Sequence, residues 1–116
     1  MTELLHITDA GAWAAATVTG EYRMSTRGVT LDQQGFIHCS LRHQLRPVAE
    51  FLYGDAEEEL VLLVIDAERL SVPVRFEAPE PDAEQFPHIY GPLPVDAVVE
   101  VVPVGRDGTG RLVLPE

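Results

Sequence analysis

Leu60-Val61-Leu62-Leu63-Val64-Ile65 is an unbroken apolar run, bounded by Glu57–Glu59 before it and Asp66 after it. It falls far short of the roughly 20 residues that a membrane-spanning helix needs, and it has the pattern of a strand covered on both faces. A chain that buries such a strand must supply apolar layers on either side of it, so this segment is expected at the centre of a sheet.

The rest of the chain is expected to supply those layers. Leu4–Ile7 reads as a first strand, after which Thr8 or Asp9 can cap a helix running through Trp13 to about Thr17 and ended by Gly20. Trp13 is expected to anchor the core. Tyr22-Arg23-Met24-Ser25 alternates like a short strand, followed by a loop from Thr26 to Gln34 that pivots at Gly28. Gly35-Phe36-Ile37-His38-Cys39-Ser40 is strand-like, and Ser40 is a good N-cap for a helix in which Leu41, Leu45, Val48 and Leu52 recur at helical spacing. Pro47 should kink that helix or restart it. Val74-Arg75-Phe76-Glu77 alternates, which assigns Val74 and Phe76 to the core and Arg75 and Glu77 to the other face. Residues 78–85 are acidic and proline-rich, and are expected to form an exposed loop able to cover a cleft. Phe86–Tyr90 and Val98–Val104 read as strands joined by a Gly91-Pro92-Leu93-Pro94 turn, and Gly105–Gly110 as a hairpin tip before a last strand at Arg111–Leu114. The order is strand, helix, strands, helix, then mostly strands, which favours one small α+β domain over residues 1–116.

Charge and composition narrow the partners. A net charge of −11 argues against nucleic acid and anionic membranes. Residues 1–54 hold Arg23, Arg27, Arg42 and Arg46 against five acids, whereas residues 55–116 hold four arginines against fourteen, so an anionic ligand is expected to meet the first half. The chain has no lysine and no asparagine, which excludes Schiff-base chemistry, a phosphate-loop lysine and a Cys-His-Asn triad. No basic-then-apolar leader opens the sequence, and the single cysteine cannot form an internal disulfide; the expected location is the cytoplasm.

The candidate chemistry lies in three histidines, each beside an isoleucine: His6, His38 and His88. Strand alternation places His6 with Thr8, and Phe36 and His38 with Ser40, while Ile37 and Cys39 face the opposite way. Buried imidazoles need partners for both ring nitrogens, so either these rings merely satisfy backbone groups or they converge on one small-molecule cleft with acid–base character. Tyr22 and Tyr90 are candidates to stack on a flat ring, and Arg23 and Arg27 to clamp phosphate. Cys39 reads as a buried, inert thiol, and no short ligand spacing supports a metal. His43 reads as a solvated helix residue.

The blocks Leu5-His6-Ile7-Thr8, Trp13, Gly20-Glu21-Tyr22-Arg23, Gly35-Phe36-Ile37-His38-Cys39-Ser40, Gln44, Arg75-Phe76-Glu77 and Phe86-Pro87-His88-Ile89-Tyr90-Gly91-Pro92-Leu93 resemble a bacterial family known as domain of unknown function 952. The resemblance implies a split, mainly antiparallel β-sheet similar to that of the ADP-ribosyltransferases, with NAD or a related nucleotide as ligand. In that larger group an early-strand residue holds a ribose, the place that His6 would take, an aromatic stacks on nicotinamide, and a late glutamate steadies charge at the anomeric carbon. Glu77 and Glu100 are available for that last role. Three readings follow: an ADP-ribosyl-transferring or hydrolysing enzyme with catalytic His6, His38 and His88 and ligand contacts from Thr8, Tyr22, Arg23, Arg27, Ser40 and Tyr90; a non-catalytic ligand-binding module with the same histidine-lined cleft; or a structural role for all three rings.

Overall fold

A computed structural model describes residues 2–115. Along the chain the elements are β1 (Glu3–Asp9), α1 (Ala10–Thr19), β2 (Glu21–Tyr22), β3 (Met24–Thr26), β4 (Val29–Thr30), α2 (Leu31–Gln34), β5 (Ile37–His38) and α3 (Leu45–Tyr53). The second half runs β6 (Leu60–Asp66), β7 (Val74–Glu77), β8 (Phe86–Ile89), β9 (Leu93–Pro94), β10 (Val98–Arg106) and β11 (Leu112–Val113), with short 3-10 turns at Arg42–Gln44, Ala67–Arg69 and Val95–Ala97. Among the described residues no helix is long and apolar enough to cross a membrane.

The apolar run becomes β6, placed between β1 and β10 in a four-stranded sheet of order β1-β6-β10-β11 whose pairings are antiparallel. Alternation sends its side chains into two separate cores. Leu63 and Ile65 join Leu4, Ala16, Tyr22, Ile37, Cys39, Ile89 and Leu93 on one side. Leu60, Leu62 and Val64 join Leu5, Ile7, Leu45, Ala49, Tyr53 and Leu112 on the other. Each fully buried leucine of β6 contributes about 1.5–3 kcal/mol relative to exposure, which is why this strand dictates the arrangement. Trp13 packs against the first core as expected.

A second sheet, of order β5-β8-β7, carries the histidines. Its register sets Ile37 opposite Ile89, His38 opposite His88, Arg75 opposite His88 and Glu77 opposite Phe86. One face (Ile37, Cys39, Ile89) closes the first core. The opposite face therefore presents Phe36, His38 and Ser40 in one column, Phe86, His88 and Tyr90 in the next, and Arg75 and Glu77 in the third. Besides this packing, the two sheets are joined backbone to backbone where Leu5 and Ser40 exchange hydrogen bonds of 2.8 Å each way.

Local chemistry sets the element ends. Asp9, rather than Thr8, caps α1 by accepting from the Ala12 amide at 2.8 Å, and the helix runs on to Thr19. The expected loop at 26–34 instead holds β4 and α2, because Thr30 and Gln33 form a reciprocal capping box and Gly35 closes the turn at φ 94°, which suits a residue without a Cβ. The expected strand at 22–25 is split at Arg23 into β2, which pairs with β9, and β3, which pairs with β4. Leu93–Pro94 is thus a pairing segment rather than only a turn. Ser40 is not an N-cap: it is engaged in the bridge to Leu5, and Gln44 Oε1 accepts from the Leu41 amide at 2.9 Å instead. The helix restarts at Leu45, which leaves Pro47 in its first turn, where its missing N–H removes no intrahelical bond. Phe76, assigned to the core by alternation, is 46% exposed, since β7 is the edge strand of its sheet and that end of its face is uncovered.

Candidate functional site

Beside the Leu5–Ser40 bridge lies a hollow of about 430 Å³. Leu5, His6 and Ile7 of β1 form one wall, His38, Cys39, Ser40 and Phe86 a second, and Pro47, Val48, Phe51 and Leu52 of α3 a third, with Thr26 at the margin. It takes in His6 and His38 but not His88, which lies one strand further along the same sheet face.

His6 is 4% exposed and both of its nitrogens are engaged. Nδ1 lies 2.6 Å from the His38 carbonyl and Nε2 lies 2.7 Å from the Tyr22 hydroxyl. A carbonyl only accepts, so Nδ1 carries the proton; Nε2 then accepts from the Tyr22 O–H. The ring is kept neutral by its burial. Burial drives its pKa down from 6.5 to about 4, and the bond to the His38 carbonyl only partly offsets that. His6 is thereby a strut that fixes the backbone at His38. Tyr22, expected to stack on a ligand ring, is 1% exposed, which closes its ring to any ligand. Burial raises its phenol pKa, partly countered by the Thr8 hydroxyl. Thr8, itself 2% exposed, neighbours Tyr53 as well, so it belongs to the buried support behind His6.

His38 is half-buried and lies at the boundary between the hollow and an aromatic row. Its ring meets His88 edge-on at 4.9 Å and Phe36 edge-on at 4.8 Å, while Phe36 stacks on His88 at 4.0 Å and lies 5.3 Å from Tyr90. Desolvation, with the neighbouring His88 adding to it, lowers the His38 pKa, so this ring is neutral and able to accept a proton near pH 7. His88 is 8% exposed and pairs through Nδ1 with Glu77 Oε1 at 2.8 Å. Tyr90 donates to that same oxygen at 2.5 Å. These two bonds, Tyr90 first, hold the Glu77 carboxyl below its ordinary range, and the carboxylate in turn raises the Tyr90 phenol. Arg75 lies over the Tyr90 ring at 4.9 Å.

The two arginines expected to clamp phosphate are committed elsewhere. Arg23 is exposed and pairs with Glu21 at 3.1 Å and Asp32 at 3.6 Å. Arg27 donates to the Leu52 carbonyl at 2.6 Å, pairs with Asp55 and Glu58, and covers the Tyr53 ring. The acidic loop is tied down at its end, where Gln44 Nε2 donates to the Gln85 carbonyl at 2.7 Å and His43 pairs with Glu84 at 3.2 Å. Cys39 is buried, and desolvation raises its thiol pKa. Among the described residues no cluster of His, Cys, Asp or Glu is arranged to hold a metal ion.

Residues 7–101 match the family model described as "Protein of unknown function (DUF952)". The chain belongs to the DUF952 family. Its fold is similar to the crystal structure of protein CC0527 from Caulobacter crescentus, at 32% identity and a TM-score of 0.80 over 97% of this chain and 95% of that one. The solution NMR structure of CC0527 is similar at 32% identity and a TM-score of 0.74, over 96% and 91% of the two chains. No protein of curated function matches this DUF952 chain.

Proposed function

We propose that this DUF952 protein binds a nucleotide-like small molecule, NAD first among them, along the hollow and the adjoining face of β5-β8-β7. In this reading Glu77, His88 and His38 form an acid–base site for ADP-ribosyl transfer or hydrolysis. The observation that carries it is the Glu77–His88 pair, with Tyr90 donating to the same carboxylate oxygen, in edge contact with the neutral ring of His38. Cleavage of an N-glycosidic bond passes through an oxocarbenium-like state that needs a fixed negative group close to the sugar. Glu77, kept ionised by its two donors, is a carboxylate on the same face as both histidines. In hydrolysis the C–N bond breaks with its electron pair leaving on the base, water adds to the anomeric carbon, and His38 takes the proton released by that water. His6 then acts as a positioning residue, since both of its nitrogens are used internally.

Calorimetric titration with NAD tests the binding. The expected result is saturable binding, weakened in His38→Ala, together with nicotinamide release that disappears in Glu77→Gln while binding persists. Absence of heat at millimolar NAD removes NAD as the ligand. A non-catalytic module is the second reading, favoured by the apolar character of the hollow; it predicts binding without release of any product, whichever of these residues is replaced.

A further inference from the structure

We propose that the hollow between α3 and the β1/β5 walls receives an uncharged aliphatic or aromatic group and rejects an anionic one. This inference deepens the ligand reading above and rests on it to the extent that the hollow admits a small molecule. Among the described residues that line it there is no arginine, aspartate or glutamate. The arginines next to the lining in sequence stand outside it on partners of their own: Arg27 on the Leu52 carbonyl, Asp55 and Glu58, Arg42 on Glu3, and Arg46 on Glu50 and the Leu112 carbonyl. The two titratable rings in the wall are neutral at pH 7: His6 by its burial, with Nδ1–H held on a carbonyl, and His38 by desolvation beside a second imidazole.

A phosphate or carboxylate placed there would lose its hydration and meet no counter-charge, a loss that buried anions do not tolerate. An apolar group meets the opposite situation. Val48 and Leu52 are only partly covered and Phe51 is 88% exposed, so the α3 wall carries apolar surface that water must otherwise solvate. The volume of about 430 Å³ falls within the range of small-molecule pockets. Any charged part of the ligand is directed out of the hollow, toward His88 and Arg75 on the same sheet face.

The test uses the intact protein and N-phenyl-1-naphthylamine, an uncharged dye that fluoresces in apolar surroundings. Wild type is expected to enhance its emission saturably. Decanol should displace the dye, whereas decanoate at pH 8 should require at least tenfold more. Val48→Trp, which fills the hollow from a half-exposed position, should weaken the dye at least tenfold while far-ultraviolet circular dichroism is unchanged. Phe51→Asp, at an exposed position, should weaken it as well. No enhancement by wild type, or equal competition by decanol and decanoate, overturns the proposal. So does unchanged dye binding in both variants. Sedimentation that shows a wild-type dimer dissociated by Phe51→Asp would assign the face to a second copy and also overturn it. The NAD titration is read separately, so dye binding without NAD binding leaves this inference standing and removes only NAD.

Discussion

Acidification should weaken the fold through His6 in a way that can be isolated. The native ring has a pKa of about 4 against an unfolded value of 6.5, caused by burial. Above pH 6.5 both states hold the ring neutral, so the contribution is complete. Between pH 6.5 and about 4 the unfolded chain binds a proton that the native state refuses, and stability falls as pH falls; below that window both states are protonated and the contribution is gone. At about 1.4 kcal/mol for each pH unit of separation, the whole loss is about 3 kcal/mol, a large share of the 5–15 kcal/mol typical of a domain. Other groups also titrate over this range, so the readout is a difference. Urea unfolding of wild type and His6→Gln at pH 7.5, 6, 5 and 4.5 should show the wild type losing about 2.5 kcal/mol more than the variant by pH 4.5. Parallel losses would refute the argument. Should His6→Gln fail to fold, the wild-type ring followed by NMR should remain neutral, protonated on Nδ1, down to pH 5; a midpoint near 6.5 would refute it equally.

Other consequences follow from single contacts. Tyr22→Phe deletes the donor to His6 Nε2 and leaves a buried acceptor unpaired, so urea unfolding at pH 7.5 should report a loss of about 1–3 kcal/mol. Gly91→Ala would place a Cβ 2.5 Å from Val72 Cγ1 and 2.9 Å from its Cβ, and the same assay should show a loss of about 1–3 kcal/mol from overpacking. Glu77→Gln should let one tyrosine titrate at lower pH in ultraviolet difference spectra, because the carboxylate that raises the Tyr90 phenol is gone. Cys39 should be unreactive to a thiol reagent in the native protein and react fully in denaturant, since it is buried and its thiol pKa is raised.

Features set by local pattern were readable from the chain. The Leu60–Ile65 run declares a two-sided strand, and alternation through Gly35–Ser40 separates Phe36, His38 and Ser40 from the core residues Ile37 and Cys39. The capping box of Thr30 and Gln33 was also present in the sequence, as Thr-x-x-Gln before Gly35, although the stretch reads as a loop by composition. What escaped depends on partners far along the chain. Tyr22 and His6 are equally compatible with an open cleft until their 2.7 Å bond is seen. Phe76 alternates like a core residue, and only its place on an edge strand leaves it exposed. Glu77 and Glu100 stand equal as candidate carboxylates in the sequence until β7 aligns with β8 and brings Glu77 to His88. Helical spacing puts Val48 and Leu52 on an apolar stripe, but it cannot separate a packed stripe from one that borders a hollow.

The histidine resonances provide the most direct measurement of whether the β5-β8-β7 face is a ligand site. During titration with NAD, the ring signals of His38 and His88 should move together and saturate, while His43, exposed and paired with Glu84 elsewhere, stays fixed. Static His38 and His88 signals at millimolar NAD, or equal movement of His43, would contradict the placement of the site.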